Sequence, residues 1–547
     1  MNQQQRNKLF ASGGGSHVWQ PLIYSLILAA GILLGMLLYA INAGKQKPFI
    51  DKKRAKIEDI LTYIRLKYVD TVNTEKLYEE TIEDMLAKLD PHSVYIPASD
   101  LERENEALEG NFEGIGIEFN IVEDTITVVT PIAGGPSEAA GIKTGDQIIK
   151  INDTVVCGIK IKNEDVLKKL RGPKDTRVKV TILRRPANEI FDVVITRNTI
   201  PLYSVDAALM LDQKTGYIKI ARFSATTYDE FKQKLRMLKE KGMERLIIDV
   251  RQNPGGYLNA AAEIADELLS GDKLIVYTEG NAYKRQNYRC GREGLFEEGK
   301  LVILIDQGSA SASEILSGAI QDWDRGTVVG RTSFGKGLVQ EQFPLSDGSA
   351  LRLTVARYYT PSGRCIQRPY HNGKAAYQDE FFKRYENGSL LREDTLQPTD
   401  SLVFKTAKGR IVYGGGGIRP DIFTPFDSAV LSATFVEAVS HIPEFTYKNY
   451  PAYDAQISAY RSVEEYHRRF EISDELLKKY FDFLKQQNPK ADPAKYKQYD
   501  KKIKHRIKAF FARQRWHNEG YYYVMKDEDS DIKKALEVIR NDAIANR

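Results

Sequence analysis

Cysteine is scarce in this chain. Only three occur in 547 residues, Cys157, Cys290 and Cys365, odd in number and far apart. That argues against a disulfide framework and against a cysteine-held metal site, while leaving room for one pair. Excess charge is also missing. The net charge is +5, and no basic stripe interleaved with aromatics stands out, so nucleic acid is not an indicated partner. With 42% hydrophobic and 28% charged residues, the chain is globular rather than disordered, and long enough for three or more folding units. No metal or cofactor is called for.

Charge disappears altogether between Pro21 and Ala43, PLIYSLILAAGILLGMLLYAINA, a run long enough for a bilayer-spanning helix. Trp19, Tyr24 and Tyr39 sit near its ends, as interface aromatics do. No A-x-A site closes the run and no cysteine follows it, which favours an uncleaved anchor over a signal peptide or a lipoprotein anchor. Arg6 and Lys8 precede the run, whereas Lys45, Lys47, Lys52, Lys53, Arg54 and Lys56 follow it. The positive-inside count then puts the large remainder in the cytoplasm. A single N-terminal span with a basic start is also the usual export arrangement, so the two arguments conflict.

The chain is organised around Leu301 to Pro344. Leu301 to Ile305 reads as a buried strand, Ser311 to Gln321 as a helix and Gly326 to Gly330 as a second strand, before Gly335-Lys336-Gly337. A serine at a helix mouth lies beside unpaired N–H groups and the positive end of the helix dipole, which favour an anion formed during attack on a carbonyl. Ser311 needs a base. Lys336 can be one if burial lowers its pKa, and Gln340 would hold the amine without adding charge. If this segment is a strand, Lys336, Leu338 and Gln340 share a face. The plain alternative is that Ser311-Ala312-Ser313-Glu314 is a capping box and Lys336 a solvated turn residue. Gly330 to Gly337, GRTSFGKG, also approaches a phosphate loop, but Gly337 stands where Ser or Thr must hold Mg²⁺. The nucleotide reading is rejected.

Before this stretch, Ile57 to Leu89 has helical periodicity and stops at Asp90-Pro91. His92 follows; it is a possible catalytic base, or a polar residue at a helix end. From Asn111 to Asn198 short strands alternate with glycine turns. Pro136 to Asp146, PSEAAGIKTGD, resembles the PDZ signature, and Gly114-Ile115-Gly116-Ile117 resembles the PDZ loop whose backbone N–H groups hold a peptide carboxylate. From Ile200 to Pro425 strands and helices alternate as in an α/β core. One strand there runs into Asn253-Pro254-Gly255-Gly256, where paired glycines let backbone approach a ligand closely.

Asp90-Pro91-His92-Ser93, the PDZ segment, Asn253-Pro254-Gly255-Gly256, Ser309 to Glu314, Gly335-Lys336-Gly337 and Gly414 to Asp421 occur in one order. Together they resemble the carboxyl-terminal processing peptidases, or tail-specific proteases, over Ile57 to Phe426. The resemblance implies a serine endopeptidase acting outside the cytoplasmic membrane, with Ser311 as nucleophile, Lys336 as general base and Gln340 positioning it. It also implies an oxyanion hole from the Ala312 N–H and an N–H of the Gly255-Gly256 turn, both glycines remaining open. Substrates would be proteins or peptides with apolar C-termini, received by the PDZ domain at Gly114, Ile115, Gly116 and Ile117.

The expected architecture is multidomain α/β: a tail over 1–18, a transmembrane anchor over 19–43 in the inner membrane, helices over 50–110, a PDZ domain over 111–198, an α/β peptidase core over 199–426 and a helical extension over 427–547. The extension would pack on the core, on another subunit or on an adaptor. The competing readings are an envelope PDZ scaffold with a vestigial site and a Ser–His hydrolase using His92.

Overall fold

A computed structural model describes residues 19–45, 52–132, 134–185, 187–393, 403–427, 429 and 432–541. The tail over 1–18, with Arg6 and Lys8, and Lys47 after the apolar run lie outside the described residues. The chain divides into two compact units, 1–82 and 83–547.

The first unit holds helices Gln20–Lys45 and Lys52–Lys67. Among the described residues no helix is long and apolar enough to cross a membrane. The transmembrane anchor expected over 19–43 is thus not shown among the described residues. The helical stretch read as Ile57 to Leu89 is broken, with Thr74–Ala87 as its later helix.

The second unit is built on a six-stranded sheet in the order Val205–Met210, Thr215–Ile220, Arg245–Asp249, Lys300–Ile305, Thr327–Gly330, Ile422–Phe423. Its first pair is antiparallel and the others are parallel. Parallel strands covered on both faces need unbroken apolar runs, and Leu246-Ile247-Ile248 and Leu301 to Ile305 supply them, all buried. Sites in parallel sheets form beyond the carboxyl ends of the strands. Here three neighbouring strands, Arg245–Asp249, Lys300–Ile305 and Thr327–Gly330, lead at those ends toward Gly255-Gly256, Ser311 and Lys336 respectively.

A second sheet pairs Ala350–Tyr359 with Leu338–Pro344, Val94–Ile96 and Leu274–Glu279. Lys336 precedes this sheet instead of sharing a strand face with Leu338 and Gln340. Opposite Val339 and Gln340 the partner strand carries a bulge, Val355 being the extra residue.

Residues 117–196 form the third sheet, with Ile117–Val122 as an edge strand paired to Thr125–Pro131. It encloses its own core of Ile126, Val128, Ile148, Val180 and Ile182, with helix Asn163–Leu170 the longer of its two helices. The helices beyond Ser432 build a further core, rich in Phe445, Tyr466, Tyr480 and Phe511.

Candidate active site

Ser311 stands at the mouth of helix Ala312–Asp322, every residue of which is buried. Its backbone has φ 55° and ψ −113°, a conformation costly for a residue with a Cβ and kept only where neighbours enforce it. Four contacts do so. The Ser311 N–H donates to Glu314 Oε2 at 2.8 Å. Its carbonyl accepts from the Glu314 and Ile315 N–H groups at 2.8 and 3.0 Å, and from the Tyr358 hydroxyl at 3.1 Å.

Glu314 does more than cap a helix. Fully buried, it accepts four hydrogen bonds: Ser333 Oγ at 2.5 Å and the Gly335 N–H at 2.7 Å on Oε1, and the Ser311 and Lys336 N–H groups, each at 2.8 Å, on Oε2. Burial pushes its carboxyl up while these donors oppose the rise. One carboxylate oxygen thus binds the backbone nitrogens of both Ser311 and Lys336. The lysine loop is fastened further by Phe334 N–H on the Ser309 carbonyl at 2.9 Å and by Gly337 N–H on Gln367 Oε1 at 2.8 Å.

Burial, reinforced by the nearby Arg352 charge, pulls the Lys336 amine below its ordinary value; Glu314 and Asp90 act the other way. Gln340 Nε2 donates to Thr354 Oγ1 at 3.3 Å, and that hydroxyl donates to Asp90 Oδ1 at 3.1 Å. Because a carboxylate only accepts, Asp90 takes the Thr354 proton and leaves the Thr354 oxygen to accept from the Gln340 amide. Asp90 also accepts the His92 and Ser93 N–H groups at 2.8 and 2.9 Å. His92 itself lies 3.1 Å from the Tyr377 hydroxyl. Its imidazole is pulled down to about 4, first by burial and then by Lys336, which makes it a weak base at neutral pH.

The glycine turn closes the site from the neighbouring strand. A Cβ on Gly255, at φ 97°, would fall 2.7 Å from both the Ala310 carbonyl oxygen and Ser311 Cβ. Gly255→Ala is therefore expected to displace the Ser311 turn and to lower the thermal midpoint; an unchanged midpoint would refute this. The Gly255 N–H donates to Asn253 Oδ1 at 2.9 Å, and its carbonyl accepts from the Phe223 N–H at 2.9 Å. Among the described residues, the N–H groups of Gly256 and Ala312 have no acceptor.

Residues 214–372 match peptidase family S41, 127–184 a PDZ domain, 39–99 the N-terminal domain of the activating protease CtpB, and 437–517 a family of unknown function. Carboxy-terminal processing protease CtpB of Bacillus subtilis (strain 168) is 39% identical over 322 residues, 58% of this chain and 66% of that protein. The carboxy-terminal-processing protease of Bartonella bacilliformis is 36% identical over 323 residues, 58% of this chain and 73% of its own. That of Synechocystis sp. is 34% identical over 367 residues, 62% and 84% respectively. The chain belongs to the carboxy-terminal processing protease family.

In this processing protease the stretch Gly114 to Ile117 leads into the third sheet. Ile115 is buried, and its carbonyl accepts both the N–H and the hydroxyl of Ser137, at 3.0 and 2.6 Å. Gly116 has φ 72°. The N–H groups of Ile115 and Gly116 have no acceptor among the described residues, and Ile117–Val122 begins next to them at the sheet edge. Sequence reasoning gives no separate role to three residues that the structure brings to this region. Glu314 is visible there only as a capping-box acid, Asn253 as part of a tight turn, and Asp90 as a helix stop.

Proposed function

We propose that this processing protease is a serine endopeptidase that uses Ser311 and Lys336. The observation that carries the reading is the single Glu314 oxygen shared by the backbone N–H groups of the two residues. Ser311 Oγ attacks the scissile carbonyl carbon while Lys336 takes its proton. The tetrahedral oxyanion is received by the N–H groups of Ala312 and Gly256, the two amides of this region with no acceptor among the described residues. Collapse breaks the C–N bond and the leaving amine takes the proton from Lys336. Water, deprotonated by the same lysine, then releases the acyl group and restores Ser311. Gln340, oriented through Thr354 by Asp90, steadies the lysine.

The PDZ domain receives the substrate's apolar C-terminus, its carboxylate on the Ile115 and Gly116 amides and its backbone along Ile117–Val122. The uncharged run Pro21 to Ala43 supports anchorage in the cytoplasmic membrane, with the catalytic part outside. Retention of the full chain in carbonate-washed membranes, and release of a chain lacking 1–43, checks the anchor.

The test of the enzyme is digestion of an unstructured protein ending in apolar residues by the full chain in detergent. Ser311→Ala should reduce cleavage to background. Equal cleavage by both proteins would remove the assignment of Ser311.

A further inference from the structure

Two arginines lead into the catalytic loops. Arg251 follows strand Arg245–Asp249 and comes just before Gln252 to Gly256; Arg331 follows Thr327–Gly330 and comes just before Thr332 to Gly337. Neither is balanced only by the peptidase core. Arg251 grips both oxygens of Asp529, each at 2.9 Å, and reaches Asp531 Oδ2 at 2.8 Å. Arg331 makes a fork onto both oxygens of Asp531, at 2.9 and 2.8 Å. Thr424 Oγ1 donates to the same carboxylate at 2.5 Å. Asp531 is 3% exposed and Arg331 5% exposed, so these paired, charge-assisted forks are among the stronger contacts a side chain makes.

Both aspartates belong to the start of helix Ser530–Arg540, which Asp529 caps by accepting the N–H groups of Asp531 and Ile532 at 3.0 Å each. They lie beyond the stretch 437–517 that matches a family of unknown function. The same helical extension touches the PDZ sheet, through the Tyr447 hydroxyl on the Val128 carbonyl at 2.6 Å and Arg513 beside Glu118 at 3.4 Å.

We infer that Asp531, seconded by Asp529, is a positioning residue of the peptidase. The extension latches the oxyanion turn and the lysine loop in the register that catalysis requires. Loss of Asp531 leaves Arg331 buried without its counter-ion, and the cheapest escape is for its loop to move outward. That movement carries Ser333, Gly335 and Lys336 off Glu314. The inference rests on the Ser311–Lys336 reading above.

The experiment measures kcat and KM for a fluorogenic peptide, together with the thermal midpoint, on full-chain protein. Asp531→Asn is expected to lower kcat about 10²-fold with KM nearly unchanged, and Asp531→Glu to restore part of it. Asp529→Asn keeps a good helix cap and removes the charge and one of the two acceptors that Asp529 offers Arg251. It is expected to lower kcat about tenfold with little change in midpoint, and it serves if Asp531→Asn does not fold. Asp474→Asn, which breaks an exposed pair with Lys504 in the same extension, should match wild type. A wild-type kcat in folded Asp531→Asn or Asp529→Asn overturns the latch. Equal rates for wild type and Ser311→Ala overturn the reading beneath it, and the latch with it.

Discussion

Lys336→Met is expected to abolish peptide hydrolysis, by about 10³-fold or more, while raising the thermal midpoint. Both effects follow from burial. The Lys336 amine is held below its ordinary value, first by burial and then by Arg352, so a base is present at a pH where a solvated lysine is an ammonium. Hydrolysis by wild type should accordingly rise with pH through a value below the ordinary lysine pKa of about 10.4. The stability consequence has a definite sign. Between the lowered value and about 10.4, the unfolded chain binds a proton that the folded chain does not, so stability rises with pH across that window. Below it, wild type bears the cost of a buried ammonium. Methionine fills similar space without a charge and removes both the cost and the slope. Urea midpoints at several pH values, alongside kcat, check the pair of effects. A methionine variant less stable than wild type at neutral pH would show that Lys336 is held as a paired cation, and a pH–rate curve without the expected rise would sink its role as base.

Glu314→Gln is expected to reduce kcat by about 10²-fold or more and to destabilise the fold by about 2 kcal/mol or more. The carboxylate accepts two donors on each oxygen. An amide replaces one oxygen with an NH₂ group, which cannot accept. Either Ser333 and Gly335, or Ser311 and Lys336, then face a donor, and two buried groups lose their partner. If the amide turns toward Ser311 and Lys336, the two reacting loops separate. If it turns the other way, Ser333 lets go and the Ile418 N–H that it accepts at 2.6 Å follows. In Glu314→Asp the carboxylate would stop one methylene short of the lysine loop, so restoring the charge should not rescue activity. Retention of wild-type kcat in folded Glu314→Gln would remove Glu314 from the positioning scheme.

Much of the core could be read from residues alone. Leu301 to Ile305, the helix after Ser311 and the strand before Gly330 follow from uninterrupted apolar runs and a glycine turn, and the structure places them within a residue of the expected ends. Local spacing also identifies Ser311 and Glu314 as a capping box. It does not reveal that Glu314 collects donors from 19 to 22 residues further on, because that depends on two parallel strands lying side by side. The shared face of Lys336, Leu338 and Gln340 fails for a local reason: Lys336 lies in the glycine-bracketed loop ahead of strand Leu338–Pro344. Asp90 and Thr354 are 264 residues apart, so the hydrogen bond that orients Gln340 leaves no trace in spacing. The membrane-length apolar run shows the reverse case. Its composition is plain in the sequence, while among the described residues no helix is long and apolar enough to cross a membrane.

The pairing of Arg331 with Asp531 joins residues 200 positions apart, and that of Arg251 with Asp531 spans 280. A ribosome makes a chain in one direction, at a rate of about 5–20 residues per second. Ser311, Lys336 and the Gly255-Gly256 turn are therefore all synthesised about ten seconds or more before the carboxylates that pair with Arg251 and Arg331. A protease able to cut unstructured polypeptide is most dangerous to its own unfinished chain and to others emerging beside it. Tethers that arrive late in synthesis set an interval in which the reacting groups exist but remain unassembled.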